Sequence, residues 1–243
     1  MKIVIIISIV ILFIILSMVF IFIYLLFQKK INSLNKLCNE NRYLDLKKNR
    51  FFINKLHVKD YINNNFSYIK TAKVYFKTSN LNELINYDFS KLPDKFVIKS
   101  NNSSKDVLVI DDKRINEINK KIKDKYKRSA FPHGNSFFNY FTGYEKQYLI
   151  KKYYFIEEYL GKNIDDYKFF IINGKIKYIQ VDSNRHSDHC RSIYDENFNL
   201  LNSKRIMYKR CNFTHENPKN LILMKRFCNE FCKSSKLKFL RID

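Results

Sequence analysis

The pair Asn173-Gly174 constrains this chain more tightly than any other feature, because it separates two strand-like runs, Asp166–Ile172 and Lys175–Ser183. A two-residue Asn-Gly link closes an antiparallel hairpin through a type I′ turn, in which both central residues take positive φ. The chain has only 4 glycines in 243 residues, so one placed here answers a demand of the turn. Side chains alternate along each arm. Lys168, Phe170 and Ile172 then share one face of the first arm, and Ile176, Tyr178, Gln180 and Asp182 one face of the second. Charged groups stand at the ends away from the turn. Either they solvate the strand ends, or they meet a phosphate and a magnesium-bound group.

Around this hairpin the pattern predicts short strands interleaved with helices, an α+β domain built on antiparallel sheets. "FFINKLHVKDYINNNF" has helical spacing at Phe52, Leu56 and Tyr61 or Ile62. "AKVYFKTSN" reads as a strand, and "NLNELINYDFSKLP" as a short helix with a turn into Pro93. "DKFVIKS" and "KDVLVID" read as a second hairpin. "DKRINEINKKIKDKYKR" is expected to be a helix with Ile115, Ile118 and Ile122 on one narrow face, and Ser129–Gln147 a loop. "QYLIKKYYFIEEYL" is expected to be one strand, and "SIYDENFNLL" a strand and turn. A last helix has Asn217 as its cap, Pro218 in its first turn, and Leu221, Met224, Phe227, Cys228 and Phe231 on one stripe. "KLKFLRID" is a final strand.

The amino-terminal part has a different constraint. Ile3 to Phe27 are apolar apart from Ser8, Ser17 and the Tyr24 hydroxyl, and as a helix they would be about 37 Å long, enough to cross a ~30 Å hydrocarbon core. The run is longer than a signal-peptide core and continues directly into Gln28-Lys29-Lys30, which favours an uncleaved single-pass anchor. Lys29, Lys30, Lys36 and Arg42 follow it closely, placing the rest in the cytoplasm. The expected division is a transmembrane anchor at 1–28, a juxtamembrane linker or helix at 29–53 that anionic headgroups attract, and one domain at 54–243. Net charge is +22, but the lysines are dispersed along a chain rich in Lys, Asn, Ile, Tyr and Phe, so composition alone explains the basicity. Cys38, Cys190, Cys211, Cys228 and Cys232 are an odd number at irregular spacing, which fits reduced thiols better than a disulfide framework.

Several groups have the chemistry of a nucleotide site. Lys99 ends a strand, where its ammonium can reach a phosphate as a point charge. Glu157 and Glu158 in "FIEEYLG" face opposite ways, so one can reach a ribose hydroxyl while the backbone beside it meets an adenine edge. Taken in order, "LPDKFVIKSNNSS", "IEEYLG", "DYKFFIINGKIKYIQVDSNR", "RSIYDENFNLL" and "LRID" resemble the TupA-like ATP-grasp family over roughly 54–243, truncated at the carboxyl end. The resemblance implies an ATP-grasp-like domain using ATP and Mg2+ to activate a carboxylate as an acyl-phosphate for attack by an amine. A cell-surface saccharide or peptide conjugate is the implied acceptor. It also implies that Lys99 and either Lys151 or Lys152 bind phosphate, and that Glu157, Glu158, Tyr159 and Leu160 form the adenine hinge. Lys168 would face the nucleotide, Asp182, Arg185 and Arg191 would lie near the acceptor or acyl-phosphate, and Asp243 would be the first magnesium carboxylate.

Two departures from the family pattern stand out. The expected glycine-containing phosphate loop is Asn101-Asn102-Ser103-Ser104-Lys105, with no glycine, and the chain ends at Asp243, before the glutamate that completes the family's magnesium site. The competing expectation is therefore an inactive relative that binds an anionic partner or membrane. Other constellations read more simply. "RHSDHC" offers zinc-type ligands and a Cys-His pair but reads as a polar loop, and Cys228 and Cys232 read as core. "KKIKDKYKR" reads as a solvated helix face, so nucleic acid is not an expected partner, and no P-loop motif is present.

Overall fold

The computed structural model describes residues 2–29, 46–103, 106–111, 114–126, 150–161, 164–185, 187–202 and 208–243, with side chains at 7, 8, 10–21 and from 50 onward. The expected loop at 129–147, Lys105, His186, Cys38 and most of the linker lie outside these residues. The chain divides into two compact units, Met1–Tyr43 and Leu44–Asp243.

In the first unit, α1 (Lys2–Lys29) is a helix of 28 residues. Its described side chains include exposed Phe13 and Phe20. Among the described residues no helix is long and apolar enough to cross a membrane.

The second unit opens with α2 (Leu46–Ile53) and α3 (Lys55–Asn65), two helices where the spacing predicts one. Asn54 divides them. Its backbone is extended, and its side-chain oxygen accepts from the amides of Leu56 and His57, capping α3. The first sheet has the order β1 (Val74–Thr78), β4 (Tyr154–Glu158), β2 (Phe96–Ser100), β3 (Val107–Ile110), with every pairing antiparallel. Strand β4 is shorter than predicted, because Asn101 holds the residues just before it. Asn101 exchanges backbone and side-chain hydrogen bonds with Tyr153 and donates to the Lys151 carbonyl. Helices α4 (Leu81–Ile85) and α5 (Ile115–Tyr126) flank this sheet. Ile118, Ile122 and Tyr126 of α5 are buried with Phe96, Ile98 and Ile156. Ile115, expected on that face, is 57% exposed, since the buried stripe begins one turn later.

The second sheet has the order β7 (Cys190–Tyr194), β6 (Lys175–Ser183), β5 (Asp166–Ile172), β8 (Phe239–Ile242), again antiparallel throughout. The predicted turn is present, with φ of 49° at Asn173 and 78° at Gly174. One expectation about faces fails. Phe170 pairs with Tyr178 and Ile171 with Ile176, so Lys177 is a β-bulge without a partner on β5. The extra residue sends Ile176 into the core with Ile179 and Val181, leaving Tyr178, Gln180 and Asp182 on the other face.

Against the core face lies α6 (Leu221–Ser235), whose Phe227, Cys228, Phe231 and Cys232 are buried, as the stripe predicts. Asn217 is not its cap. Asn220 holds that position without a side-chain cap bond, and Lys236 closes the far end in the left-handed region. The cysteine expectation is overturned. Cys190 and Cys211 form a disulfide with Cα atoms 4.9 Å apart, while Cys228 and Cys232 remain free and buried. A single pair separated by 21 residues matches no spacing rule, so only the fold could bring it together.

Candidate functional site

Alternation on β2 points Phe96 and Ile98 into the core and Lys99 to the opposite face, which it shares with Glu157 of β4. There Lys99 pairs with Glu157, whose second oxygen lies 3.0 Å from the Lys59 ammonium of α3. Only 4% of the Glu157 side chain is exposed. Lys152 lies 3.4 Å from Asp106 and over the rings of Tyr126 and Tyr154. Lys151 is exposed, with its ammonium over Tyr153, so of the two candidate lysines Lys152 is the one brought to this cluster. Lys55 donates to the carbonyls of Ser100, at 3.0 Å, and of Ser103. Burial, then the charge of Lys99, pushes the Lys55 ammonium down to about 8, although Asp106 and Glu157 pull the other way.

The hinge candidates separate. Glu157 is engaged by lysines, whereas Glu158 is exposed and accepts from the Lys73 amide at 3.2 Å. Tyr159 is half-buried, and Leu160 is 63% exposed beside Gly161, whose φ is 120°.

The second sheet gathers the other predicted residues around Asp182, whose side chain is 1% exposed. Its carboxylate accepts from Lys168 at 2.9 Å, Gln180 at 3.0 Å, and Arg191 through Nε at 2.5 Å and Nη2 at 3.1 Å. His189 Nε2 stands 3.5 Å away. Burial alone would raise the Asp182 pKa, but hydrogen bonds and charge from Arg191 and Lys168 more than offset it and hold the carboxyl well below the usual range. Asp166 binds Lys168 and Arg185 at the entrance of the hairpin. Tyr208 lies against both the Arg191 guanidinium, 4.7 Å from its ring centre, and the His189 ring. The disulfide keeps it there, since the Tyr208–Cys211 segment bonds β7 through Arg191 N to Lys209 O, at 2.9 Å. Cys190, weighed in sequence as a metal ligand or nucleophile, is consumed in that disulfide.

Ser183, the next residue, faces the other way into a polar chain. The His215 amide donates to the Tyr194 hydroxyl at 2.9 Å, and Tyr194 lies 2.8 Å from His215 Nδ1. Ser183 donates to Asp165, so its oxygen accepts from His215 Nε2, 2.7 Å away. Burial lowers the His215 pKa despite the charge of Asp165, favouring a neutral ring, in which Nδ1 accepts from the Tyr194 hydroxyl.

Asp243 is distant from this logic. Both its oxygens are held by the Arg241 guanidinium, at 2.6 and 2.8 Å. Among the described residues no three potential metal ligands are grouped. A hard divalent ion takes six oxygens, so these residues do not by themselves fit magnesium. Lys55, Lys59, Lys99 and Lys152 are instead gathered around Glu157, Asp106 and the carbonyls of Ser100 and Ser103. Sequence reasoning missed Lys55 and Lys59, because spacing on a basic amphipathic helix does not show which lysines turn toward a sheet. Asp106 was missed too, because it acts through Lys152, distant in sequence, and so was the link from Asp166 to Arg185.

The sequence profile of the TupA-like ATP-grasp family matches residues 33–243. The chain belongs to that family. No curated protein matches it. Among solved structures, the D-alanine–D-alanine ligase of Bacillus anthracis is similar, with 16% identity and a TM-score of 0.40 over 79% of this chain and 52% of the ligase. The chain thus spans about half the length of that ligase.

Proposed function

We propose that this ATP-grasp protein is an ATP-dependent carboxylate–amine ligase acting in the assembly of a cell-surface saccharide or peptide conjugate. The observation that carries the reading is the placement of Lys99 near the end of β2 and Lys152 just before β4, on the same end of the sheet, with Lys99 reaching along the face to Glu157. When bound, ATP supplies the phosphoryl group that activates the carboxylate. The chain's own part is positioning and charge neutralisation, which lysines provide. Lys168, Arg185 and Arg191, organised by Asp182 and Asp166, offer cationic groups for an acyl-phosphate or acceptor anion.

The same proposal includes a membrane anchor. It is supported by the length of α1, about 42 Å for 28 residues, and by the apolar run within it. The lysines after the run favour a cytoplasmic domain, where ATP is available. The disulfide favours an oxidising compartment. Protease protection in sealed vesicles decides between them.

The test of the nucleotide site is ATP binding to the full chain, with and without Mg2+, followed by ADP release on adding carboxylate and amine donors. Lys99→Ala and Lys168→Ala are expected to weaken binding. A folded double variant with native affinity refutes the assignment. A second reading, a binding module without ligase activity, is favoured by the pairing of Asp243 with Arg241 and predicts no ADP under any condition.

A further inference from the structure

Arg191 is held by a segment that lies beyond the edge of its sheet. Its amide donates to the Lys209 carbonyl at 2.9 Å, and its carbonyl accepts from the Cys211 amide at 3.3 Å. Both backbone groups therefore point away from β6, which makes Asp182 and Arg191 a non-hydrogen-bonded pair with side chains close together. The Tyr208 ring then covers the guanidinium. Segment 208–211 thus fixes Arg191 at its amide, its carbonyl and its side chain.

The segment depends on one strong tie. It meets β7 in a parallel bridge of Arg191 with Arg210. Lys209 pairs with Asp188, and Arg210 donates to Asn202, but all four side chains are exposed and such pairs contribute little. The covalent tie is the Cys190–Cys211 bond. Alternation sends buried Cys190 to the face of β7 opposite Arg191. The bond therefore stands outside the Asp182 site and acts on it through the backbone. Beyond Cys211, the bonds of His215 to Tyr194 keep the chain near β7, so release of the segment is local.

We infer that segment 208–211 is a redox-sensitive strap that positions Arg191, closed by the Cys190–Cys211 disulfide and opened by a dithiol reductant. A thiolate of the reductant attacks Cys211 Sγ, and Cys190 leaves as a thiolate that takes a proton. The second reductant thiol then displaces Cys211, so that two electrons and two protons pass to the protein and the reductant becomes a disulfide. With the strap open, Arg191 loses both backbone partners and the ring, while its grip on Asp182 remains. Where Arg191 meets an acyl-phosphate or acceptor anion, the strap sets affinity by preorganisation. That consequence rests on the ligase reading; the strap itself does not.

The test compares the full chain oxidised, reduced with dithiothreitol and reoxidised, at pH 8. It reads modification of Arg191 by phenylglyoxal and binding of acetylphosphonate, a stable acyl-phosphate mimic. Reduction should raise Arg191 modification several-fold and weaken acetylphosphonate about tenfold, the scale of one hydrogen bond to a charged group. Reoxidation should restore both. Arg226, paired with Glu230 on α6, is the internal reference. In the oxidised protein, Tyr208→Ala should expose Arg191 in the same sense, and Tyr208→Phe, which keeps the ring, should behave as native. If reduced protein with native circular dichroism keeps native Arg191 reactivity, the strap is refuted. The switch is refuted too if dithiothreitol leaves the bond intact in the folded chain, or if reduction unfolds it. If Arg191 reactivity follows the redox state but neither form binds acetylphosphonate, the strap stands and the acyl-phosphate role of Arg191 fails.

Discussion

Arg191 grips Asp182 from the residue directly opposite it in the β6–β7 register, through both Nε and Nη2. The ion pair is buried and shared with Lys168, so removing the carboxylate strands two cations. Asp182→Asn is expected to cost about 3 kcal/mol or more at pH 7, read by chemical denaturation. A depressed folded pKa gives stability that is present above the unfolded value near 3.9 and lost as pH falls through the folded one. Acid melts of the native protein should therefore slope downward below about pH 5, and the variant should lose most of that slope.

The Cys190–Cys211 bond closes a stretch of 21 residues. Loop-closure arithmetic gives about 3 kcal/mol for such a length. Cys211→Ser, or native protein in excess dithiothreitol, should melt several degrees lower. Because Tyr208 is carried by the tethered segment, reduction should also raise its exposure to chemical modification.

Cys228 and Cys232 present the opposite chemistry. Burial pushes the Cys228 thiol up to about 12, with the neighbouring Cys232 adding to the effect. Neither should react with iodoacetamide at pH 8 while the domain is folded, and both should react in denaturant. Rapid native labelling of Cys228 would contradict the packing of α6.

Tyr194→Phe removes a hydroxyl that serves both the amide and the ring of His215. The expected loss is about 1–2 kcal/mol, with an unsatisfied ring nitrogen left behind. His215 has a lowered folded pKa, so the unfolded chain binds the extra proton first and stability falls as pH drops through about 6.5. NMR titration of the ring should show it neutral at pH 6.5, and the variant should shift its titration upward.

Local patterns made much of this fold legible. The Asn-Gly turn, the α6 stripe and the strands around Lys99 all follow from period and turn chemistry, and they sufficed to place Lys99 at the end of a strand and Lys168 and Asp182 at the ends of the hairpin away from the turn. What stayed hidden depends on pairing at a distance. The disulfide joins residues with no motif between them, and Asn54 splits a helix because its side chain satisfies amides that periodicity ignores. Lys55 and Lys59 looked like two more lysines on a polar helix face. Only the approach of α3 to Ser100 and Glu157 gives them a role.

The unpaired Lys177 sets the parity of the whole hairpin. Between the turn and Asp182, the two arms differ by one residue, and that odd residue lets Ile176 and Gln180 serve opposite faces. Deleting it would leave an unbroken ladder in which Ile176 still faces the core and Asp182 still faces the other side. A single residue gained or lost elsewhere along a regular arm exchanges interior for exterior, whereas the bulge absorbs its extra residue without that exchange. Lys177 is thus the one position between Gly174 and Asp182 at which this register already carries a surplus residue.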